Sequence, residues 1–534
     1  MNLTRRDFIK LCGSSSVAAL LAACGTAPTT TPAPTQTPLP TATATVTSTP
    51  LPTATPTLTS TPAPTRTATA TRTITATPTP AKFAYTISIL DPAARKIRVH
   101  LEITDLRRAP ILTLWTHSGT FWGSWMDPWV NVSNMRITNK AGTPVKYTSV
   151  ATGNPSTSSG IRLDVQAEAH LAIDYDVTLG FVDRNFTGPR QQLKAGYINN
   201  EFAVVEPEFI LLVPLDAETT TYSMTLKIDL PENQESISHW NPIGKHTYSI
   251  DASRKAFADG VLAFGQIQVR EQKINQTNVR VGSYGVSNLG FEQVASNTLR
   301  LYDYYEKTIG TYPIPAFAIV YVPSLTDGVY LAPYNEQSGG FFYRFFDTPI
   351  YWKDVSHQMC HNWNSGGMSG NAWVREGFAQ YYGLKSCEVT GIHPRNLVQQ
   401  EFINRLERYR KEIIGTDNDL SFIAATAKFD QNHGFPYNFL VYEKASLLAY
   451  LLDLRITQVS DGKKTLDDVM ALFWKQYGPG SRRPSITETE VQKAVEQITG
   501  QNFSAFFNAY VKGTTPLPLE VRDGNLVMGN NVIS

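Results

Sequence analysis

The chain has 534 residues, with 47 lysines and arginines against 46 aspartates and glutamates and a formal net charge of +1. This balance gives no electrostatic reason to expect a nucleic acid or another polyanion as the partner. We therefore predict no nucleic-acid binding, and the function must be sought in individual sites.

Residues 1–24 have the order of features that a targeting segment requires. The pair Arg5 and Arg6 precedes an apolar stretch, Leu11 to Ala23, which is too short to cross a bilayer as a helix. The residues before Cys24 resemble a bacterial lipobox. We predict a twin-arginine lipoprotein signal, export by that route, and a cell-surface or periplasmic protein anchored to the membrane through a lipidated Cys24. The alternative is an ordinary cleaved signal with an incidental cysteine.

Residues 25–81 form a Thr/Pro-rich tract. It contains no aromatic residue and no acid, and only Arg66 and Arg72 are charged, so it cannot bury a core. Its prolines favour extended polyproline II conformations. We predict a disordered linker that acts as a stalk between the membrane and the folded part of the chain.

Residues 82–288 show strand periodicity. In Tyr85–Leu90, Lys96–Ile103, Leu171–Val177 and Tyr222–Leu230, apolar residues recur at every second position between turn-forming residues. This pattern is typical of half-buried antiparallel strands. The sequence therefore predicts an N-terminal β-sandwich-like domain over this range.

Beyond residue 288 the apolar period lengthens to that of helices, within a predicted domain over 289–518 and before a C-terminal tail over 519–534. The predicted helices are Val294–Gly310, Asn396–Ile414, Tyr442–Ile456, Thr465–Tyr477 and Glu488–Thr499, with a strand at Ala316–Val322. Thr487 and Glu490 have the spacing of a capping box. The predicted fold class is α+β multidomain, with a β domain followed by a mainly α-helical one.

His357 and His361 are candidate metal ligands. Four residues apart, they lie on one face of a helix and can bind a single ion. Glu376 follows at a distance that allows a turn and the start of a second helix, and is the candidate third ligand. Three protein ligands leave a fourth position open, which is typical of a catalytic zinc site. Two alternatives stay open: Cys360 as a further ligand, and two histidines that are ordinary hydrogen-bonded residues of a helix.

Gln358 directly follows the first histidine. In the H-E-x-x-H signature this position holds a glutamate, which takes the proton from the attacking water. An amide has no basic site to receive that proton. General-base catalysis contributes a factor of roughly 10² to 10⁴ to the reaction rate, so we expect catalysis at this site to be impaired.

Four motifs occur in an order that points to a family. His361–Asn364, Trp373–Tyr382, Val441–Ala445 and Phe506–Thr514 resemble motifs of the glycyl aminopeptidase family of gluzincin metallopeptidases. A more distant likeness is to the membrane alanyl aminopeptidases. The resemblance extends over nearly all of residues 83–518.

The resemblance implies a thermolysin-like catalytic-type domain with one zinc ion bound by His357, His361 and Glu376. It implies Tyr442 as the hydroxyl that stabilises the oxyanion of peptide hydrolysis. It also implies a peptide or a protein N-terminus as the partner. Gln358 stands where the family carries its catalytic glutamate.

Three functional classes follow from these features. In the first, an active zinc peptidase uses a substitute base, for which Glu336 is a candidate. Glu336 is also a candidate for the acid that binds the amino group of a substrate. In the second, a pseudopeptidase binds peptides or a partner protein without cleaving them. In the third, the histidines are structural.

Cys360 and Cys387 are the two cysteines that remain beyond the signal and the lipidation site. A disulfide between them is permitted in an exported protein. Nothing in the sequence brings them together, so we expect two buried free thiols.

Overall fold

The computed structural model describes residues 81–105, 111–115, 132–152, 160–165, 168–179, 197–205, 207, 210–214, 222–252, 260–285, 288–323, 340–345, 351–364, 371–429, 434–479, 481 and 485–533. These residues belong to one compact unit, Ala76–Ser534. The predicted signal with Cys24, the linker up to residue 80, and Glu336 lie outside them. In the described part of the chain, no helix combines the length and the apolar character needed to cross a membrane.

The described strands are β1 (Lys82–Asp91), β2 (Lys96–Thr104), β3 (Ile111–Trp115), β4 (Val132–Asn139), β5 (Tyr147–Thr152), β6 (Gly160–Val165), β7 (His170–Thr178), β8 (Tyr197–Ile198), β9 (Phe202–Val205), β10 (Val213–Pro214), β11 (Tyr222–Asp229), β12 (Glu235–Ser238), β13 (Asn241–Gly244), β14 (Thr247–Ala252), β15 (Leu262–Gly265), β16 (Gln268–Ile274), β17 (Thr277–Ser283), β18 (Ala316–Pro323), β19 (Gly340–Phe345), β20 (Leu519–Arg522) and β21 (Asn525–Met528).

The described α-helices are α1 (Asn288–Thr308), α2 (Tyr351–Asn364), α3 (Ala372–Val389), α4 (Arg395–Glu412), α5 (Phe422–Phe429), α6 (Tyr437–Phe439), α7 (Ala445–Val459), α8 (Leu466–Tyr477), α9 (Glu488–Thr499) and α10 (Ser504–Phe507). Two π-helical turns occur at Leu440–Lys444 and Asn508–Lys512. The fold is thus mixed α+β, rich in sheet up to β17 and mainly helical afterwards.

A seven-stranded sheet dominates the N-terminal part, in the order β13-β14-β11-β1-β2-β7-β4. In β2, the alternating residues Ile97, Val99, Leu101 and Ile103 are fully buried, as the two-residue period predicts. Most neighbours in this sheet run antiparallel, but β1 and β11 are parallel. The expectation of antiparallel strands is wrong for that pair. No hairpin joins these two strands, so their long connection permits either direction.

The buried face of this sheet shares one core with residues from the sheets β10-β3-β6-β5 and β12-β15-β9-β8. Two tyrosine hydroxyls cross this core and bind backbone on the other side. Tyr85 donates to the carbonyl oxygen of Leu212 and Tyr175 to that of Ile210, each at 2.7 Å. A buried phenol needs such an acceptor, so these bonds fix how the layers pack.

A third four-stranded sheet, β16-β17-β18-β19, supports the helical region. β17, α1 and β18 form a β-α-β unit, in which the two strands pair in parallel. This sheet crosses the domain boundary predicted at residue 288, because the crossover helix returns the chain to the sheet it has just left. The apolar core of the helical region accordingly begins at Ile274.

The predicted helices are present, and their ends lie within about three residues of the expected ones, except that α1 begins at Asn288 instead of Val294. Thr487 and Glu490 form the expected capping box at the start of α9. The sequence missed α5, whose 8 residues are too few to show a clear period. Cys360 and Cys387 are buried free thiols, as expected.

Residues 519–528 form the hairpin β20-β21, where the sequence predicts only a tail. The hairpin docks on the helical region through backbone hydrogen bonds to side chains of α4 and α7. Gln399 accepts from the Leu526 amide at 2.9 Å, and Tyr450 donates to the Leu526 carbonyl oxygen at 2.8 Å. These contacts join residues far apart in the chain, so local sequence patterns cannot reveal them.

Candidate metal centre

α2 carries both candidate histidines on a helix whose opposite face is apolar. Val355, Met359 and Trp363 recur every four residues and are fully buried. His357 and His361 occupy the other face with the same spacing, so their imidazoles lie one turn apart. The ring centroids are 4.6 Å apart.

Polar contacts behind α2 hold the helix in place. Tyr305 of α1 donates to the Ser356 carbonyl oxygen at 3.0 Å, and the Ser356 and Ser386 hydroxyls are 2.6 Å apart. Trp363 Nε1 donates to the Gly310 carbonyl oxygen at 2.7 Å. These bonds tie α1, α2 and α3 together, so the face carrying the histidines has little freedom to rotate.

Two glycines of α3 allow its close approach to neighbouring helices. A Cβ added at Gly383 would lie 2.6 Å from the Lys353 carbonyl oxygen of α2. A Cβ at Gly377 would overlap Ala445 at the start of α7. Glu376 lies beside Gly377, so these contacts bring its carboxylate to the two imidazoles.

The three candidate ligand atoms converge in one buried group. His357 Nε2 and His361 Nε2 are 3.1 Å apart, and Glu376 Oε2 lies 3.5 Å from the first and 3.3 Å from the second. Ligands about 2.0–2.1 Å from a tetrahedral zinc ion lie about 3.4 Å from one another. The observed separations fit such a site, and they would crowd lone pairs together if no cation or proton lay between them.

Electrostatics leave two of these ligands, His357 and Glu376, in the form that a metal requires. Burial lowers the pKa of His357 to about 4, so its imidazole is neutral at neutral pH. Burial would raise the pKa of the Glu376 carboxyl, but the neighbouring His361 and His357 hold it well below its usual value. Metals bind neutral imidazole and ionised carboxylate, so no proton need leave either group at neutral pH.

Two of the three candidate ligands, Glu376 and His361, are oriented by contacts with other residues. Arg375 Nε donates to Glu376 Oε1 at 2.9 Å, which leaves Oε2 to face the imidazoles. His361 Nδ1 lies 3.1 Å from Asn364 Oδ1. The sequence predicts neither Arg375 nor Asn364 as a site residue. The spacing of His361 and Asn364 on one helix, three residues apart, is a signal that could have indicated their contact.

Tyr442 lies beside the cluster, with its ring 6.0 Å from the His357 ring and stacked on it at 29°. Burial, with a further contribution from Glu376, raises the pKa of Tyr442 well above its usual value. The hydroxyl therefore keeps its proton and acts as a hydrogen-bond donor. The structure brings this predicted site residue and the three predicted ligands together.

The π-helical turn that carries Tyr442 is held by ion pairs on both sides. Arg408 of α4 binds Glu443 through two contacts of 2.7 and 2.8 Å. Lys444, almost fully buried, binds Asp419 at 3.0 Å. Single π-turns within helices are rare and occur frequently at functional sites.

The sequence also singled out Cys360 and Gln358 on α2, and neither belongs to the group of candidate ligands. Cys360 is not part of the metal-binding group found among the described residues. Burial raises the pKa of its thiol well above the usual value, so Cys360 is a neutral thiol at neutral pH. Gln358 follows His357 on the helix and is partly buried.

Comparisons with known proteins add a likeness of fold. No protein-family model and no curated protein matches the chain. An aminopeptidase N family protein from Idiomarina loihiensis is similar in structure, with a TM-score of 0.62 and 14% identity, over 81% of this chain and 76% of that one. At this identity the likeness shows a shared fold.

Weaker similarities are to an M1 zinc metallopeptidase from Deinococcus radiodurans and to a mutant of it bound to a Tyr-Ser-Ala substrate. Each has a TM-score of 0.45 and covers 79% of this chain and 91% of that one, at 13% and 12% identity respectively.

Proposed function

We propose that this protein is an exported, membrane-tethered member of the zinc metallopeptidases, with an aminopeptidase-like site in which Gln358 impairs hydrolysis. The convergence of His357, His361 and Glu376 at separations that fit a tetrahedral metal is the observation that carries this proposal. The fold shared with an aminopeptidase N family protein supports it. In this proposal the helical region is a thermolysin-like, gluzincin-type domain.

The three ligands and Tyr442 have distinct roles in peptide-bond hydrolysis. A zinc ion held by His357, His361 and Glu376 would polarise the scissile carbonyl as a Lewis acid. Tyr442, protonated because burial raises its pKa, donates a hydrogen bond to the carbonyl oxygen as negative charge develops there. A donor placed in advance is worth several kcal/mol of barrier because it need not reorganise during the reaction.

In this proposal the side-chain amide of Gln358 orients the attacking water by a hydrogen bond but cannot accept its proton. The missing general base corresponds to roughly 10² to 10⁴-fold in rate, or about 3 to 5 kcal/mol of barrier. Substrate binding depends on other contacts and is not weakened by this change. The same site therefore also supports a second function, that of a pseudopeptidase that binds peptides or protein N-termini at the cell surface without cutting them.

Export and tethering rest on the N-terminal sequence. Arg5 and Arg6 precede the apolar stretch that ends before Cys24. A lipidated cysteine followed by a proline-rich stalk would hold the folded part near a membrane surface. Peptides outside the cytoplasm are then the substrates or ligands within reach.

Elemental analysis and one substitution test the proposal. The full-length protein should contain one zinc per chain. With zinc bound, Gln358→Glu should raise hydrolysis of a peptide mixture by orders of magnitude, whereas Gln358→Asn, which keeps an amide, should not. Equal rates for the glutamate variant and the natural protein would show that the missing carboxylate does not limit the site. Peptide binding by the natural protein, without cleavage, would favour the pseudopeptidase.

A further inference from the structure

Asn364 is the last residue of α2 and is 4% exposed. Its side-chain Nδ2 donates to the carbonyl oxygen of Arg375 on α3 at 2.6 Å. A carbonyl oxygen can only accept, so this bond requires the amino side of the amide to face α3. The oxygen Oδ1 consequently faces α2.

This orientation determines where His361 carries its proton. Asn364 Oδ1 lies 3.1 Å from His361 Nδ1, and an amide oxygen can only accept a hydrogen bond. His361 Nδ1 must therefore be the donor. In the neutral ring this leaves the lone pair on Nε2, the atom that lies 3.3 Å from Glu376 Oε2.

His357 differs from His361 in this respect. Its Nδ1 is buried, and in the part of the chain that the structure describes it has no hydrogen-bond partner. Its ring instead stacks on Tyr442. Of the two imidazoles, His361 is therefore the one whose tautomer is set by a hydrogen bond that its Nδ1 donates to an oriented side chain.

We propose that Asn364 is a positioning residue of the metal centre, which fixes His361 as the Nδ1-protonated tautomer so that its Nε2 lone pair is ready for the metal. This inference rests on the proposed zinc site. Hydrogen bonds to the outer nitrogen of a metal-binding histidine orient the ring and raise its strength as a ligand. Here the bond depends on contact between two helices, since the Arg375 carbonyl oxygen orients the Asn364 amide.

The experiment measures zinc affinity and the His361 tautomer in full-length protein. Affinity comes from competition with a fluorescent chelator, and the tautomer from ¹⁵N-histidine NMR of the metal-free protein. Asn364→Leu should weaken zinc binding about 10 to 100-fold and yield a mixture of His361 tautomers. Asn364→Asp loses the bond to the Arg375 carbonyl oxygen, but both carboxylate oxygens can accept from Nδ1, so this variant should retain the natural tautomer.

Asn362 provides the matched control, since it lies on the same helix, is buried, and donates to the Met359 carbonyl oxygen. Asn362→Leu should leave zinc affinity and the His361 tautomer unchanged.

Should Asn364→Leu not fold, Asn364→Ala removes the same acceptor with less bulk. An Asn364→Leu or Asn364→Ala protein that folds and keeps the natural affinity and tautomer would overturn this inference. Failure of the natural protein to bind zinc would overturn the proposed function.

Discussion

Replacing Gly383 by alanine should push α2 and α3 apart. The new Cβ would lie 2.6 Å from the Lys353 carbonyl oxygen, a backbone atom that cannot rotate away. Ordinary van der Waals contact begins near 3.4 Å, so the helices must separate by about 0.8 Å. Glu376 is on α3 and His357 on α2, so this separation also spreads the candidate metal ligands.

Two effects of opposite sign determine how Gly383→Ala changes the free energy of unfolding. Overpacking of this kind destabilises by about 1–3 kcal/mol. Alanine gains about 1 kcal/mol over glycine in a helix interior, which offsets part of this cost. We expect Gly383→Ala to lower the free energy of unfolding by at most about 2 kcal/mol. We expect it to weaken zinc binding about tenfold or more, because metal sites tolerate little displacement of their ligands.

Urea unfolding of the metal-free protein and chelator competition for zinc measure the two effects. Gly415 supplies the control, since its φ of +71° strains any other residue while no neighbouring atom lies within 4 Å of an added Cβ. Gly415→Ala should cost stability without changing zinc affinity. A Gly383→Ala protein with natural stability and natural zinc affinity would refute the reasoning that this glycine sets the spacing of the helices.

Three further predictions concern the hydroxyl donor, an acid-sensitive ion pair and the anchor. In the Gln358→Glu protein, adding Tyr442→Phe should lower peptide hydrolysis about 10² to 10³-fold while the zinc content stays constant. Burial would raise the pKa of Glu401, but the nearby Lys353, 2.7 Å away, helps to lower it below 4.5. The stability from Glu401 is therefore complete above pH 4.5 and is lost as the pH falls through its lowered pKa; Glu401→Gln should remove that part of the acid sensitivity in urea unfolding. Cys24→Ser should move the exported protein from the membrane to the soluble fraction.

Each of these predictions has an outcome that contradicts it. Unchanged hydrolysis after removal of the Tyr442 hydroxyl would exclude it as the oxyanion donor. The same acid dependence in Glu401→Gln and the natural protein would assign the acid sensitivity to other carboxylates. Retention of the Cys24→Ser protein in washed membranes would exclude lipidation at that cysteine as the anchor.

Short-range patterns in the sequence predicted much of the fold. The two-residue period of β2 and the capping box at Thr487 depend on residues within one strand or one helical turn, and the structure confirms both. The parallel pairing of β1 with β11 and the docking of the C-terminal hairpin were not predictable in this way. They depend on contacts between segments separated by many residues, for which a single sequence carries no local signal.

In the candidate site, too, the sequence by itself specifies some features and the tertiary structure decides the others. The spacing of His357 and His361 specifies by itself that two imidazoles share one face of a helix, because that face follows from 3.6 residues per turn. Only the tertiary structure decided that Glu376 reaches them, since this requires the close approach of α2 and α3 that Gly383 permits. Likewise, the orientation of Asn364 depends on a carbonyl oxygen of another helix. The identity of the site residues is thus local, whereas their convergence depends on how helices pack.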